Sequence, residues 1–269
     1  MFPSDLSPER VRSLSEARSL GRIVEFHRVV DSTNTRARDL ARSGSPEGTL
    51  VLADAQTKGR GRFGRSWVSP PGVNLYASLV LRPGRAPEEV LGLPLVVGLG
   101  VAETVAEWAG ERTRIKWPND VEIAGKKVAG VLCELEGEAG RVEFVIAGVG
   151  VNLNATEFPE ELRDRATSVR LATGRVVDRA VFCARLLERL EKRYESFLAG
   201  GFRSLQDEWN RWHGLSGKRI RVVRGGEAVE GVAGPVDVRG RLEIRTAGGS
   251  VHVDGGEATV LGGGMRDGA

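Results

Sequence analysis

The stretch Gln56-Thr57-Lys58-Gly59-Arg60-Gly61-Arg62-Phe63-Gly64-Arg65-Ser66-Trp67 decides how the 269-residue chain is read. Its glycines match two phosphate-binding patterns at once. Gly59-x-Gly61-x-x-Gly64 fits the dinucleotide fingerprint, and Gly59-x4-Gly64-Arg65-Ser66 is one residue type away from a P-loop. Both patterns need a helix to begin at the loop, because the helix N-terminus holds the phosphates. Pro70-Pro71-Gly72 follows at once, and a strand-like run from Asn74 to Leu81 comes after it. No helix runs through two prolines. Both nucleotide folds are therefore rejected.

What remains is a glycine-bearing loop with three arginines. Glycines let backbone fold closely over a ligand. Arginines offer forked donors that fit carboxylate and phosphate oxygens. Three readings stay open for the loop alone: a solvated basic loop, a flap over an anionic ligand, and a single-strand nucleic-acid contact through Arg residues interleaved with Phe63 and Trp67.

Working outward, Gly21 to Phe26 and Thr49 to Ala53 read as strands, with a helix between them from Thr35 to Arg42. Asp31, Ser32, Thr33 and Asn34 supply capping side chains before that helix. Leu93 to Trp108 has a broad apolar helical face. From Thr113 to Asn154 the pattern is one of strands, with a hairpin near Ala124-Gly125. Helices follow at 181–198 and 202–212. After Gly214 short alternating runs split by glycines predict a small antiparallel β barrel or sandwich. The expected division is a helix or tail over 1–20, a catalytic unit over 21–213, a β unit over 214–262 and a disordered tail over 263–269.

Bulk properties exclude several classes. The net charge of +3 does not call for nucleic acid as a partner. Cys133 and Cys183 are too sparse for a disulfide framework and read as free thiols. His27, His213 and His252 lack metal-ligand spacing. No signal-peptide pattern opens the chain, and no apolar run reaches about 18 residues, so cytoplasm and no membrane are the expectation.

Two further segments carry chemistry. Lys116-Trp117-Pro118-Asn119-Asp120 gathers five functional types at a strand end, and Gly125-Lys126-Lys127-Val128-Ala129-Gly130 sets Lys127 among small residues that leave room for a ligand. Alone, the lysines read as solvated strand residues and Asn119-Asp120 as a turn.

Together, in order, Asp31-Ser32-Thr33-Asn34, Gln56, the Arg-Gly loop, Lys116 to Asp120, Gly125 to Gly130 and Gly148-Val149-Gly150-Val151-Asn152 resemble the biotin protein ligases over residues 22 to 261. The resemblance implies an α+β fold: a mixed β sheet with helices like that of class II tRNA synthetases, followed by a small SH3-like β barrel. It implies ATP and Mg²⁺, biotin as substrate, and a biotin carboxyl carrier domain as acceptor of biotin from biotinyl-5'-AMP. By position it implies Lys127, Arg62 and Asp120 as catalytic residues. Ser32, Thr33, Asn34, Gln56, Arg60, Gly61, Arg62, Lys127 and Gly130 are placed on biotin. Arg60, Arg62, Arg65, Trp67, Asn119 and Asn152 are placed on the nucleotide. Asn119 and Asp120 are also set against the Mg²⁺ or the acceptor lysine, but the Mg²⁺ ligands stay unassigned.

Three departures qualify the resemblance. About 20 residues precede the catalytic region, too few for the DNA-binding domain of many bacterial relatives, so DNA repression is not expected. Phe63 stands where relatives often carry a basic residue. The ending around Gly255 to Leu261 follows the family only loosely, leaving open whether the β unit contacts ATP or the acceptor. A lipoate or octanoate ligase on the same fold, a nucleic-acid-binding protein and a peptide-binding adaptor remain as rivals, and a homodimer through a sheet edge is left open as the assembly.

Overall fold

Apolar runs and turn residues sort the chain into two sheets. The computed structural model describes residues 6–138 and 140–261; the calls on residues 1–5 and on the tail after Leu261 lie outside them.

In chain order the elements of the larger part are α1 (Pro8–Leu14), β1 (Val24–Val30), α2 (Thr33–Arg42), β2 (Leu50–Gln56), β3 (Leu75–Leu81), α3 (Leu93–Ala109), β4 (Thr113–Lys116), β5 (Asp120–Ile123), β6 (Lys126–Glu138), β7 (Arg141–Val151), α4 (Val169–Thr173), α5 (Arg179–Gly200) and α6 (Gln206–Trp212). Its seven strands run β1-β2-β3-β7-β6-β5-β4. The β1–β2 pair is parallel and every other pair antiparallel, which makes the sheet mixed as expected.

The two faces differ. Residues at one strand parity, among them Leu50, Leu52, Leu79, Leu81, Val145, Ala147 and Val149, pack under α3 and α5 in the main core. The other parity packs Val51, Val80, Phe144 and Ile146 against Ala37 and Ala41 of α2. Helix α2 packs mainly over β2, β3 and β7 and reaches β6 only through polar side chains, so the same face stays open over β5, β4 and the start of β6. The helical segment Pro87–Arg112, which contains α3, is long and apolar enough to cross a bilayer, but its apolar window is 72% buried in this core.

Local readings shift in four places. The first strand starts at Val24 because Gly21 turns the chain at φ +77°. The expected 202–212 helix divides into a 3₁₀ turn at Phe202–Leu205 and α6. The five-residue α4, capped by Ser168 Oγ accepting from Leu171 N, had no apolar period to announce it. In the Arg-Gly loop Arg62–Gly64 forms a single 3₁₀ turn, with Phe63 at φ +56°.

The smaller part holds β8 (Arg219–Arg224), β9 (Glu227–Val236), β10 (Leu242–Thr246), β11 (Gly249–Val253) and β12 (Glu257–Val260) in one antiparallel sheet ordered β11-β10-β9-β8-β12. Its apolar side chains Ile220, Val222, Ala233, Val236, Leu242 and Ile244 belong to the same core as α3 and α5. Polar contacts bind the two parts as well. Trp117 Nε1 donates to Gly240 O at 3.1 Å, and Asn210 brackets Val236 with hydrogen bonds of 3.0 and 2.8 Å. The thiols Cys133 and Cys183 are free, and burial raises both above the ordinary thiol range.

His213 lies at this junction, 7% exposed, its ring 5.1 Å from that of Trp209. Neither ring nitrogen has a hydrogen-bond partner. Burial, with Lys218 adding to it, pulls His213 down from 6.5 to about 4. The unfolded chain therefore takes up a proton at higher pH than the folded one, and stability falls as pH drops from about 6.5 to about 4. The loss amounts to roughly 3 kcal/mol. Urea unfolding of wild type and His213→Phe at pH values across that window should show the variant with a flatter acid limb by that amount.

Candidate active site

Sheet register explains why segments far apart in the chain meet. Lys116 pairs with Asp120, Asp120 with Gly130, Gly130 with Gly150, and Gly150 with Tyr76, so these residues form one row across five strands. In a neighbouring row Leu132 pairs with Gly148 and Gly148 with Ser78. Paired residues point to the same side, and both rows lie on the face that α2 leaves uncovered. Three of the motifs read from the sequence, Lys116 to Asp120, Gly125 to Gly130 and Gly148 to Asn152, supply members of this floor.

The floor is bare where it must be. A Cβ at Gly150 would come within 2.5 Å of the Trp67 indole, and one at Gly148 within 2.0 Å of Asn34 Oδ1. Contacts so short are not tolerated, so only glycine lets these side chains lie against the strands.

At one end the cavity is polar and uncharged. The expected capping of α2 is realised differently. Ser32 is the N-cap residue, yet its side chain makes no cap hydrogen bond. Instead Gln56 Oε1, from the end of β2, accepts from Thr33 N at 2.9 Å and Thr33 Oγ1 at 3.1 Å. Gln56 Nε2 donates to Ser69 Oγ at 2.9 Å, which fixes its amide orientation. Asn34 is equally constrained: Nδ2 donates to Leu132 O at 3.2 Å and Glu134 Oε2 at 2.7 Å, and Oδ1 accepts from Ser78 Oγ at 2.6 Å.

The other end is cationic. The Arg-Gly loop folds back on itself through Gly61 N to Arg65 O at 2.7 Å and Trp67 N to Gly59 O at 2.9 Å. Its arginines are not equivalent. Arg60 is paired with Glu134 at 2.7 Å, and Arg65 with Glu257 of β12. Arg62 meets only neutral acceptors, Asn119 Oδ1 at 3.0 Å and Gly256 O at 3.3 Å, and lies over the Phe63 ring at 4.8 Å. Burial pulls the Arg62 guanidinium below its ordinary value, the effect expected of a desolvated cation without a close counter-ion.

Lys127 sits beside this loop. Its Nζ is 5.4 Å from the centre of the Trp67 ring and 2.7 Å from Asp120 Oδ1. Lys116 and Glu122 stand on the adjacent strands 3.8 Å apart, and burial pushes the Glu122 carboxyl up. The Ala155–Thr167 segment closes the third side, with Lys127 N donating to Arg165 O at 2.8 Å and Thr167 N to Lys127 O at 2.9 Å. Asn152 anchors that segment by donating from Nδ2 to Thr167 O at 3.2 Å.

Every residue singled out from the sequence lines one cavity of about 460 Å³: Ser32, Thr33, Asn34, Gln56, Arg60, Gly61, Arg62, Arg65, Trp67, Asn119, Asp120, Lys127, Gly130 and Asn152. A larger cleft of about 840 Å³ adjoins it, sharing Arg62, Asn119, Val131 and Leu132. Sequence reasoning missed Ser78, Glu122, Glu134 and Phe158. Glu134 alone left a signal, as an acidic residue within an apolar strand. Among the described residues no group of three or more His, Cys, Asp or Glu gathers to hold a metal.

Comparison with known proteins places this geometry. Residues 26–152 match the biotin/lipoate A/B protein ligase family and residues 215–260 the biotin protein ligase C-terminal domain. The chain is 38% identical over 246 residues to the bifunctional ligase/repressor BirA of Bacillus subtilis, covering 91% of this chain and 76% of that protein. It is 35% identical to the biotin--[acetyl-CoA-carboxylase] ligase of Mycobacterium tuberculosis, covering 87% of this chain and 88% of that one. The biotin protein ligase of Aquifex aeolicus in complex with biotin and ATP superposes with a TM-score of 0.78 at 33% identity, over 89% of this chain and 99% of that one.

The bare floor is directly testable. Gly148→Ala should displace Asn34 and break its buried hydrogen bonds, costing roughly 1–3 kcal/mol in urea unfolding.

Proposed function

The chain belongs to the biotin protein ligase family, and from that premise we propose how its cavity activates biotin with ATP and passes it to a protein lysine. It is a biotin ligase, and biotin and ATP are its substrates. The observation that carries the residue roles is the division of one cavity into a neutral hydrogen-bonding end and a cationic end. Biotin is divided in the same way, into an uncharged ureido ring and a carboxylate.

Ser32, Thr33, Asn34 and Gln56 take the ureido edges. Gly130 and Gly61 leave room for the ring and the valeryl chain. Lipoate carries a dithiolane ring without hydrogen-bonding groups, so it would leave these polar side chains unanswered, a costly mismatch in a buried site. Titration calorimetry should register heat with biotin and none with lipoate at the same concentration.

At the cationic end the obstacle is repulsion between anions. A carboxylate oxygen attacks the α-phosphorus, the bond to the leaving pyrophosphate breaks, and biotinyl-5'-AMP results. Fixed positive charge lowers such a barrier. Lys127, held by Asp120, is aimed at the carboxylate and α-phosphate. Arg62 closes over both, since among the described residues it meets only neutral acceptors. Arg60 and Arg65 flank it, while Trp67, Asn119 and Asn152 border the nucleotide.

The available oxygens suit Mg²⁺ carried on the phosphates rather than caged by protein: Asp120, Glu122 and the Asn119 amide line the cavity without forming a closed carboxylate set. When bound, Mg²⁺ would offset the negative charge of the phosphates.

In the second step the acceptor lysine of a carrier domain attacks the anhydride carbonyl, and AMP leaves. That amine is ordinarily protonated, and Asp120 is the carboxylate placed to take the proton. The adjoining cleft, which shares Arg62 and Asn119 with the cavity, is the side from which the acceptor approaches.

Mass spectrometry of a biotin carboxyl carrier domain incubated with the chain, biotin, ATP and Mg²⁺ should show a single added biotin; an unmodified carrier would overturn the reading. Lys127→Ala should slow biotin-dependent pyrophosphate release at least ~100-fold, about 2.7 kcal/mol. Arg62→Gly should let adenylate escape the cavity and label lysines of bystander proteins, read by streptavidin blotting.

A further inference from the structure

Strand β6 carries a carboxylate that neither step above uses. Glu134 follows Leu132 by two residues, at the same strand parity and against α2 and the flap; its side chain is 23% exposed. Three donors converge on it, two from α2 and one from the flap. Asn34 Nδ2 and Arg60 Nη2 both reach Oε2, at 2.7 Å each, and Arg38 Nη2 of α2 reaches Oε1 at 2.7 Å. Arg38 also approaches Glu136 at 3.9 Å, and Arg42 pairs with Glu136 at 2.7 Å.

The sharing of Oε2 is the informative part. Arg38 alone would neutralise the carboxylate, so charge balance does not account for the other two donors. Asn34 belongs to the neutral end of the cavity, locked by Leu132 O, Ser78 and the bare Gly148. Arg60 belongs to the flap and stands one residue after its root at Gly59. One oxygen atom therefore ties the orientation of the ureido-binding amide to the seating of the flap. A Glu134→Gln side chain cannot serve all three donors. Its one oxygen carries no charge, and its amide nitrogen turns N–H groups on either Arg38 or the Asn34–Arg60 pair.

On the biotin ligase reading, we infer that Glu134 is a positioning residue that couples the biotin end of the cavity to closure of the flap. It holds Asn34 and Arg60 in register without touching either substrate.

The test uses the full chain with biotin, ATP and Mg²⁺. Glu134→Gln should raise KM for biotin about tenfold, the loss of one charge-assisted hydrogen bond, and leave KM for ATP within about twofold. Bound adenylate isolated by gel filtration should leave the variant about tenfold faster than wild type, by the same loss. Arg60→Gln, which cuts the same contact from the flap side, should speed adenylate release by at least as much, and it keeps the test alive if Glu134→Gln does not fold. In adenylate retention the double variant should be no worse than Arg60→Gln alone, since both substitutions remove one shared contact. Arg38→Gln should leave biotin KM and adenylate retention unchanged. The inference is overturned by unchanged KM and retention in Glu134→Gln, by additive single effects, or by biotin and ATP KM rising together. If wild type releases no pyrophosphate on addition of biotin, the ligase reading itself fails, and this one with it.

Discussion

The close approach of two side chains to the sheet is the constraint on which the rest depends. Trp67 and Asn34 lie directly on β-strand backbone, and they can do so only because Gly148 and Gly150 carry no side chains there. The indole in turn sets where the flap ends, and the amide sets where the polar end begins. Had either glycine been larger, the two halves of the cavity would not share a floor. Catalytic geometry here is built by removing side chains from a rigid sheet as much as by adding them.

Charge is then distributed over that floor with unequal compensation. Arg60 and Arg65 come with carboxylates, Lys127 with Asp120, and Lys116 with Glu122. Arg62 comes with neutral oxygens only. Desolvating a cation without a counter-ion costs free energy, and an arriving anion recovers it. The cavity thus keeps one cation poised for an anion, while the neighbouring charges are balanced by carboxylates and hold the frame.

Much of this was legible in residues alone. Two prolines after the loop excluded a phosphate-binding helix, and strand-like runs flanked every motif. The resemblance brought the motifs to one site, and register did the rest through the row from Lys116 to Tyr76. What stayed hidden were partnerships set by register over long separations. Arg60 finds Glu134 74 positions away, and Arg65 finds Glu257 192 positions away. No local pattern encodes either. Gln56 as the cap of α2 was hidden for a related reason: Ser32 has the usual capping chemistry, and only the β2 end placed beside the helix shows that an amide oxygen took the role. The short α4 has no period to read, and Gly21, which turns the chain at positive φ, delays the first strand to Val24.

The hydrogen bond from Trp117 to Gly240 has a bearing on biosynthesis. The indole is 1% exposed, and its N–H finds its acceptor 123 residues further along the chain. As the polypeptide leaves the ribosome, the strand pair around Trp117 emerges long before Gly240 does. Until then the indole N–H has no Gly240 carbonyl to meet. The first sheet reaches its final state only when the second has been translated, so the nascent chain matures late and as a whole.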